Sequence, residues 1–319
     1  MAQAALVIGE ALTDVLVGPD GERRGMPGGS PANVALGLGR LGHPVRFATR
    51  VGRDFFGTVL RERLEAGGVE FVTGSVDDAP TSTATARLDG AGSATYDFDI
   101  DWELSAAAVR AVRGGPAAHV HTGSIAAGLP PGADTVLDLV EGARAAATVS
   151  YDPNLRPALL GPPERERARV ERLVAASDVV KASDEDLSWL YPGVEPTKAA
   201  ARWAEQGGPA LVVLTMGGRG ARAWWRRGSV HVAAPVIAVR DTVGAGDAFT
   251  SALLAGLLSA GLLGAGEGPR AALAEATDGP APAAPVLRAL TLAARAAALT
   301  CTREGADPPT AAELREDAG

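Results

Sequence analysis

The sequence predicts an α/β fold: an open, mostly parallel sheet with helices on both faces, carrying a small β-sheet lid. Three observations point there. Short apolar runs recur along the chain, helical patterns separate most of them, and two segments rich in turn and strand residues interrupt the alternation. Strand–helix alternation of this kind builds a parallel sheet covered on both sides.

The elements follow in order. Ala4 to Gly9 is a continuous apolar run ending in glycine, the pattern of a strand buried on both faces. Similar runs lie at Val45 to Val51, Ala118 to His121, Ala147 to Tyr151, Asp178 to Lys181 and Ala210 to Leu214. Helical periodicity marks Asn33 to Leu41, Gly57 to Ala66, Asp134 to Ala145, Arg165 to Ala175 and Thr197 to Glu205. Residues 11–26 form a hairpin-like segment turning at Gly18-Pro19-Asp20-Gly21, and residues 81–100 form a second turning at Asp89-Gly90-Ala91-Gly92. The second is rich in Thr, Tyr and Phe, which favour strands. Two such hairpins projecting from the body would pair into a lid over the C-terminal ends of the main strands. The organisation is therefore a body of residues 1–10, 27–80 and 101–319 with lid segments 11–26 and 81–100. Another hairpin flanks Arg226-Arg227-Gly228. Helices are expected over Gly246 to Leu263 and Val286 to Thr302, joined by an Ala/Gly/Pro-rich surface connection with a short helix near Arg270 to Ala276.

Composition narrows the function. The 319 residues are ample for a sizeable core. Formal net charge is −8, and only Lys181 and Lys198 among 30 basic residues are lysines. This balance lacks the basic face of a nucleic-acid binder. No uninterrupted apolar run approaches the roughly 18–20 residues that span a bilayer, and the first residues lack the basic region of a signal peptide. Cys301 is the single cysteine, which excludes an intramolecular disulfide and a cysteine-cluster metal site. A cytoplasmic protein without membrane or nucleic-acid partners is expected.

The strongest chemical signal is Asp241-Thr242-Val243-Gly244-Ala245-Gly246-Asp247, which runs straight into the apolar stretch AFTSALLAGLL. A helix N-terminus presents unpaired N–H groups and a partial positive charge. Gly244 and Gly246 would let the main chain approach a ligand, so the turn is suited to phosphate. Asp247, in the first turn, would be placed to take a proton from a hydroxyl beside that anion hole. On these residues alone, a tight turn with Asp247 as helix cap explains the string equally well.

The longer string DTVGAGDAF resembles the C-terminal signature of the ribokinase-like (PfkB) carbohydrate kinase family. Met26-Pro27-Gly28-Gly29-Ser30-Pro31-Ala32-Asn33 resembles the family's N-terminal signature, GG-x-x-x-N, and Gly9-Glu10 with Asp14 resembles the strand end that supplies a sugar-binding aspartate. The resemblance runs from about residue 5 to 310. It implies that Asp14, Gly28, Gly29 and Asn33 bind sugar hydroxyls, that Asp247 is the base, and that the amides of Gly244, Ala245 and Gly246 form the anion hole. Thr215-Met216-Gly217-Gly218-Arg219-Gly220 resembles the family's T-x-G-x-x-G nucleotide loop, making Thr215, Gly217 and Gly220 nucleotide-binding residues beside Gly246. Asp152-Pro153-Asn154-Leu155-Arg156 resembles the fructokinase branch, with Asn154 and Arg156 facing the sugar or the phosphates.

Two places depart from the family pattern. Lys181-Ala182-Ser183-Asp184-Glu185-Asp186 stands where N-x-x-E would organise Mg²⁺ and phosphate, with Ser183 for Asn and Asp186 for Glu. Lys181 and Ser183 are then expected at the nucleotide and Asp186 at Mg²⁺, since aspartate keeps an oxygen ligand. Thr302-Arg303-Glu304-Gly305-Ala306 resembles the T-R-x-G-A segment, which with Asp241 would hold a monovalent cation such as K⁺. The Asn expected upstream of it is replaced, around Ala294 or Arg295. Tyr96, Phe98 and Trp102 cluster near the second lid segment, where they could stack on a sugar ring or seal lid to body. His119 and His121 share one face of a strand without a third ligand, and a structural role is expected for both.

The implied activity is ATP-dependent, Mg²⁺-assisted phosphorylation of a primary hydroxyl of a small carbohydrate, with D-fructose first. 2-Keto-3-deoxygluconate, ribose and nucleosides are alternative acceptors. A catalytically silent sugar- or nucleotide-binding protein is the non-enzymatic alternative. Exposed lid strands suggest a homodimer in which they cover each other's edges.

Overall fold

The computed structural model describes residues 3–18, 20–88 and 94–316. The chain opens with β1 (Ala5–Ile8), the hairpin β2 (Leu12–Val17) and β3 (Arg23–Gly28), and α1 (Ser30–Arg40). There follow β4 (Val45–Ala48), β5 (Val51–Gly52), α2 (Phe55–Ala66), β6 (Val69–Phe71) and β7 (Val76–Asp77). The second hairpin, β8 (Thr83–Leu88) and β9 (Ala94–Asp99), leads through α3 (Ala106–Gly114) to β10 (His119–Gly123), α4 (Ser124–Gly128) and α5 (Gly132–Ala143). Next come β11 (Thr148–Asp152), α6 (Pro163–Ala176), β12 (Val179–Ser183), α7 (Asp184–Leu190), α8 (Pro196–Glu205) and β13 (Leu211–Thr215). The hairpin β14 (Ala221–Trp225) and β15 (Gly228–Val232) precedes the helices α9 (Ala245–Ser259), α10 (Glu267–Ala276), α11 (Ala284–Cys301) and α12 (Ala311–Glu316).

The main sheet has nine strands in the order β15-β14-β13-β12-β11-β10-β1-β4-β6. All neighbours are parallel except the pairs involving β14 and β15, which are antiparallel. The alternation of side chains along a strand explains its two cores. Ala5 and Val7 face one cluster with residues of α1, α9 and α11, whereas Leu6 and Ile8 face another with residues of α3, α5, α6 and α8. Burial on both faces is why these strands read as unbroken apolar runs.

The two predicted hairpins pair into a separate four-stranded sheet in the order β3-β2-β8-β9, with β2 and β8 parallel. The turn at Asp89-Gly90-Ala91-Gly92, Pro19 of the first turn and the side chain of Tyr96 lie outside the described residues.

Several expectations need correction. The run Val45 to Val51 is two strands, and β5 leaves the main sheet to pair with β7. The helix after Asp247 stops at Ser259, because Gly261 turns the chain with φ +70°. The stretch 264–285 contains the expected short helix, which begins earlier, at Glu267, and is anchored to the body. Arg270 in α10 reaches Asp178 Oδ1 at 2.7 Å and the carbonyls of Arg144 and Ala147 at 2.9 and 2.8 Å, and so pins α10 to the starts of the main strands. Trp102 does not reach the lid cleft: it is buried, with its indole N–H donating to the Ala126 carbonyl at 3.1 Å. An indole whose polar handle is satisfied inside the body belongs to the core. Helix α11 has the length and apolar composition to cross a membrane, with a mean hydropathy of 1.2. Its Val286, Leu290 and Ala293 are buried in the cluster that contains α9, as in a core helix, and Gly256 lets the two helices approach closely at Ala289.

Candidate active site

The predicted residues converge at the C-terminal ends of the parallel strands, beneath the small sheet. Parallel sheets put ligands there because helix N-termini and loops gather at that edge. The centre is the start of α9. Gly244 is its N-cap at φ +74°, a left-handed conformation, and a Cβ there would lie 2.6 Å from that of Ala306. Glycine answers both constraints. The amide of Ala245 donates to the Thr242 carbonyl at 3.2 Å, so one of the expected anion-hole donors already has a weak partner.

Asp247 follows in the first turn and is buried. Its Oδ1 accepts from Ser30 Oγ at 2.6 Å and its Oδ2 from Asn33 Nδ2 at 2.8 Å. Asn154 Nδ2 approaches Oδ1 at 3.4 Å. Burial pushes the Asp247 carboxyl above its ordinary range, while Ser30, Asn33 and the charges of Lys181 and Arg156 draw it back. The result is a carboxylate with reduced water contact, held at a fixed angle by two helices and available to a proton. Asn33 was expected at the sugar; its amide N–H is turned to Asp247. Ser30 went unrecognised, because nothing local in Gly28-Gly29-Ser30-Pro31 signals a partner more than 200 residues away.

The lid-proximal group surrounds Asp14. A Cβ at Gly28 would meet Asp14 Oδ2 at 2.2 Å, so the glycine makes room for that carboxylate. Gly29, at φ +99°, lets the chain pass the Glu10 carbonyl, which a Cβ would meet at 2.6 Å. Burial raises the Asp14 carboxyl, the Arg156 guanidinium lowers it, and Asp247 raises it. The same guanidinium lowers Asp247 and Glu10, so Arg156 is the cation shared by three acids. Its Nη1 donates to Asn154 Oδ1 at 2.7 Å and to the carbonyls of Asn154 and Leu155 at 3.0 and 3.1 Å. Asn154 has φ +36° and Ser124, at the end of the neighbouring strand, has φ +55°. Strained backbone of this kind persists where surroundings over-determine it, commonly at functional sites. Glu10, quoted in the sequence only as part of the Gly9-Glu10 strand end, is buried here: burial raises it to about 7, and its Oε2 accepts the Ala126 amide at 2.9 Å.

Beside this lies the end of the sheet formed by β12 and β13. Ser183 and Thr215 are paired in register at the ends of β12 and β13, bringing the KASDED and TMGGRG segments side by side. Gly217 and Gly220 take φ +54° and +84° in the turn after β13. Arg219 bridges the two segments through Asp184 at 2.5 Å. Asp186 lies in the first turn of α7. It is buried, forms a reciprocal capping box with Ser183, and accepts the Leu155 amide on Oδ1 at 2.7 Å. The two departures from N-x-x-E thus fit each other: a short acid reaches back to a hydroxyl N-cap. A carboxylate with two engaged oxygens suits Mg²⁺ held through waters and phosphates, the usual arrangement for that ion, better than a dedicated cage. Among the described residues, no group of three Asp, Glu, His or Cys side chains is arranged to hold a metal ion by itself.

Lys181 is buried and paired with Asp152 at 3.1 Å. Burial alone would lower its ammonium, but Asp152, Asp186 and Asp247 outweigh it and keep the group charged. Asp241 accepts the amides of Val243 at 3.0 Å and Gly305 at 2.8 Å, which holds its carboxyl below the ordinary range and ties the glycine turn to the Thr302–Ala306 segment. Ala294 is buried and Arg295 donates to the Leu314 carbonyl at 2.7 Å, so the side chains at the departed Asn position face the protein. His119 and His121 are buried and share Ser150 Oγ at 2.7 and 2.8 Å, and burial lowers both to about 3, so both are neutral.

A glycine turn on a helix N-terminus, with a buried carboxylate in that helix and a second sheet above, defines a phosphotransferase acting on an alcohol. Residues 6–313 match the pfkB family carbohydrate kinase domain, and the chain belongs to that family. It is 38% identical over 265 residues to a fructokinase from Klebsiella pneumoniae, covering 80% of this chain and 85% of that one. Among solved structures, ATP-bound fructokinase from Xylella fastidiosa superposes with a TM-score of 0.81 at 26% identity over 100% of both chains. A double mutant of Vibrio cholerae O395 fructokinase, bound to fructose, ADP and potassium, gives 0.76 at 27% identity over 99% of both. The protein is a carbohydrate kinase.

Proposed function

We propose that this kinase transfers the γ-phosphoryl group of ATP to a primary hydroxyl of D-fructose, giving fructose 6-phosphate. The observation that carries the reading is the buried Asp247 carboxylate, fixed by Ser30 and Asn33 at 2.6 and 2.8 Å in the first turn after Gly244 and Gly246. Asp247 takes the proton from the attacking hydroxyl. The amides of the Gly244–Gly246 turn receive charge that develops on the transferring phosphoryl group. Asp14, Gly28, Gly29 and Asn154 bind the sugar, with Asn33 orienting the base. Arg156 offsets the carboxylates around it and, by its planar fork, suits a phosphoryl oxygen once one is present.

Thr215, Gly217, Gly220 and Ser183 line the nucleotide end. Mg²⁺, when bound to the ATP phosphates, supplies charge neutralisation, with Asp186 as its protein carboxylate through water. K⁺ held near Asp241 and Gly305 would stiffen the turn before α9. Segments 11–26 and 81–100 act as a lid that closes on the sugar and expels water, which would otherwise accept the phosphoryl group. Leu16, Met26 and Phe98 are large apolar residues exposed on that sheet, and they support pairing of two lids in a homodimer.

ADP release should be followed with fructose, ribose, 2-keto-3-deoxygluconate, tagatose phosphate and adenosine, each with and without K⁺. Fructose should give the highest kcat/KM, and K⁺ should raise it. Turnover of another acceptor with none on fructose reassigns the substrate.

A further inference from the structure

One buried charged unit is left unused by that scheme, and it contains Lys181, which the family resemblance places at the nucleotide. Lys181 Nζ lies 3.1 Å from Asp152 Oδ2, and the two side chains are 5% and 1% exposed. The same Oδ2 lies 3.1 Å from Thr250 Oγ1, and Thr250 Oγ1 lies 3.0 Å from the Gly246 carbonyl, so one hydroxyl proton is shared between two acceptors. A Cβ on Gly246 would stand 3.1 Å from Lys181 Nζ. The ammonium therefore sits directly against Gly246, where the glycine turn enters α9, with no side chain between. Asp152 Oδ1 is buried without a partner. A buried ion pair loses its hydration, and an apolar pair of the same volume would fill the space at lower cost. Packing alone does not explain a lysine here in a chain that has only two.

We infer that Lys181, Asp152 and Thr250 form a positioning unit for phosphoryl transfer. Asp152 holds the ammonium behind Gly246, where its fixed positive charge adds to that of the turn's amides. Thr250 ties the Gly246 carbonyl to Asp152 and so couples the start of α9 to that ion pair. The unit acts through the turn, on the transferring group, and contributes little to holding ATP in the ground state. A charge stationed where negative charge develops lowers the barrier without tightening substrate binding. This rests on the kinase reading above, in which the turn is the anion hole.

The test is a set of variants, K181M, D152N, T250V and the double variant D152N/K181M, with wild type assayed first. A wild type that phosphorylates none of the sugars refutes the kinase reading and is read before any variant. With an active wild type, K181M should lower kcat roughly 30- to 300-fold. Its ATP dissociation constant, from calorimetry without sugar, and its sugar KM should stay within about threefold. D152N should lose roughly tenfold in kcat, and the double variant should be no worse than K181M, because the two act as one unit. A kcat within twofold of wild type in folded K181M overturns the inference. So does a loss of ATP affinity equal to the loss in kcat/KM, which would make Lys181 a direct nucleotide ligand. Should K181M fail to fold, D152N and T250V decide: both should lower kcat at unchanged ATP affinity, and unchanged kcat in both overturns it.

Discussion

Asn33 Nδ2 donates to Asp247 Oδ2 across 2.8 Å, joining the first turn of α1 to the first turn of α9. With Ser30 on the other oxygen, the carboxylate is held between two helix N-termini. Both bonds favour its ionised form against burial. Activity needs the ionised form, so it rises with pH through the Asp247 titration. S30A removes one stabilising donor and should move the acid limb of kcat/KM toward higher pH, with a several-fold loss near neutrality. A pH–rate profile checks this, and an acid limb left in place would speak against Asp247 as the titrating group.

Asn154 holds φ +36° while its side chain touches Asp247 and Arg156. N154G relieves the strained backbone but adds chain entropy to the unfolded state, so stability should stay within about 1 kcal/mol. Loss of the side chain frees Arg156 and should lower kcat/KM roughly tenfold or more. Denaturant melts and steady-state rates separate the two effects. A large stability loss would show that Asn154 serves the fold.

Gly244 faces the opposite demand. G244A would place a methyl 2.6 Å from Ala306 Cβ in a left-handed conformation. It should destabilise by about 1–3 kcal/mol and lower kcat roughly 10- to 100-fold, since the turn and the Thr302–Ala306 segment must separate. A variant with full stability and rate would mean that the turn tolerates rearrangement.

Much of this was legible in the sequence, and the rest was not for a physical reason. Strands such as β1 are readable because burial of Leu6 and Val7 on opposite faces leaves an unbroken apolar run. The glycine turn is readable because phosphate chemistry and helix geometry meet within seven residues, Asp241 to Asp247. Ser30, Asp152 and Thr250 depend on partners brought together by the sheet order, and no local spacing encodes that. Trp102 stayed open between a sugar contact and apolar packing for the same reason: its proximity to the lid in sequence says nothing of the Ala126 carbonyl that receives its N–H. Ser183 and Asp186 look like a weakened motif in sequence, yet in space they complete a capping box.

His119 bonds to Thr148 Oγ1 and Ser150 Oγ and is held neutral, its pKa lowered by burial to about 3. The unfolded chain binds that proton near pH 6.5, so the stabilisation His119 provides is present above that pH and is lost as pH falls toward about 3. Glu10 and Asp152, raised to about 7 and about 6, have the opposite slope, so the comparison must be between variants. H119N should be less stable than wild type at pH 7, by roughly 1–3 kcal/mol, and that deficit should shrink toward pH 4. Denaturant melts at both values test it, and a constant deficit would contradict a neutral buried histidine.

The central claim is that Asp247 removes the hydroxyl proton as the phosphoryl group leaves ATP. Wild type and D247N should be compared on D-fructose with ATP and Mg²⁺, following fructose 6-phosphate directly and fructose binding by calorimetry. The account predicts a fall in kcat of roughly 10³-fold or more, with fructose affinity within a few-fold of wild type. A D247N enzyme that keeps most of its kcat would contradict it.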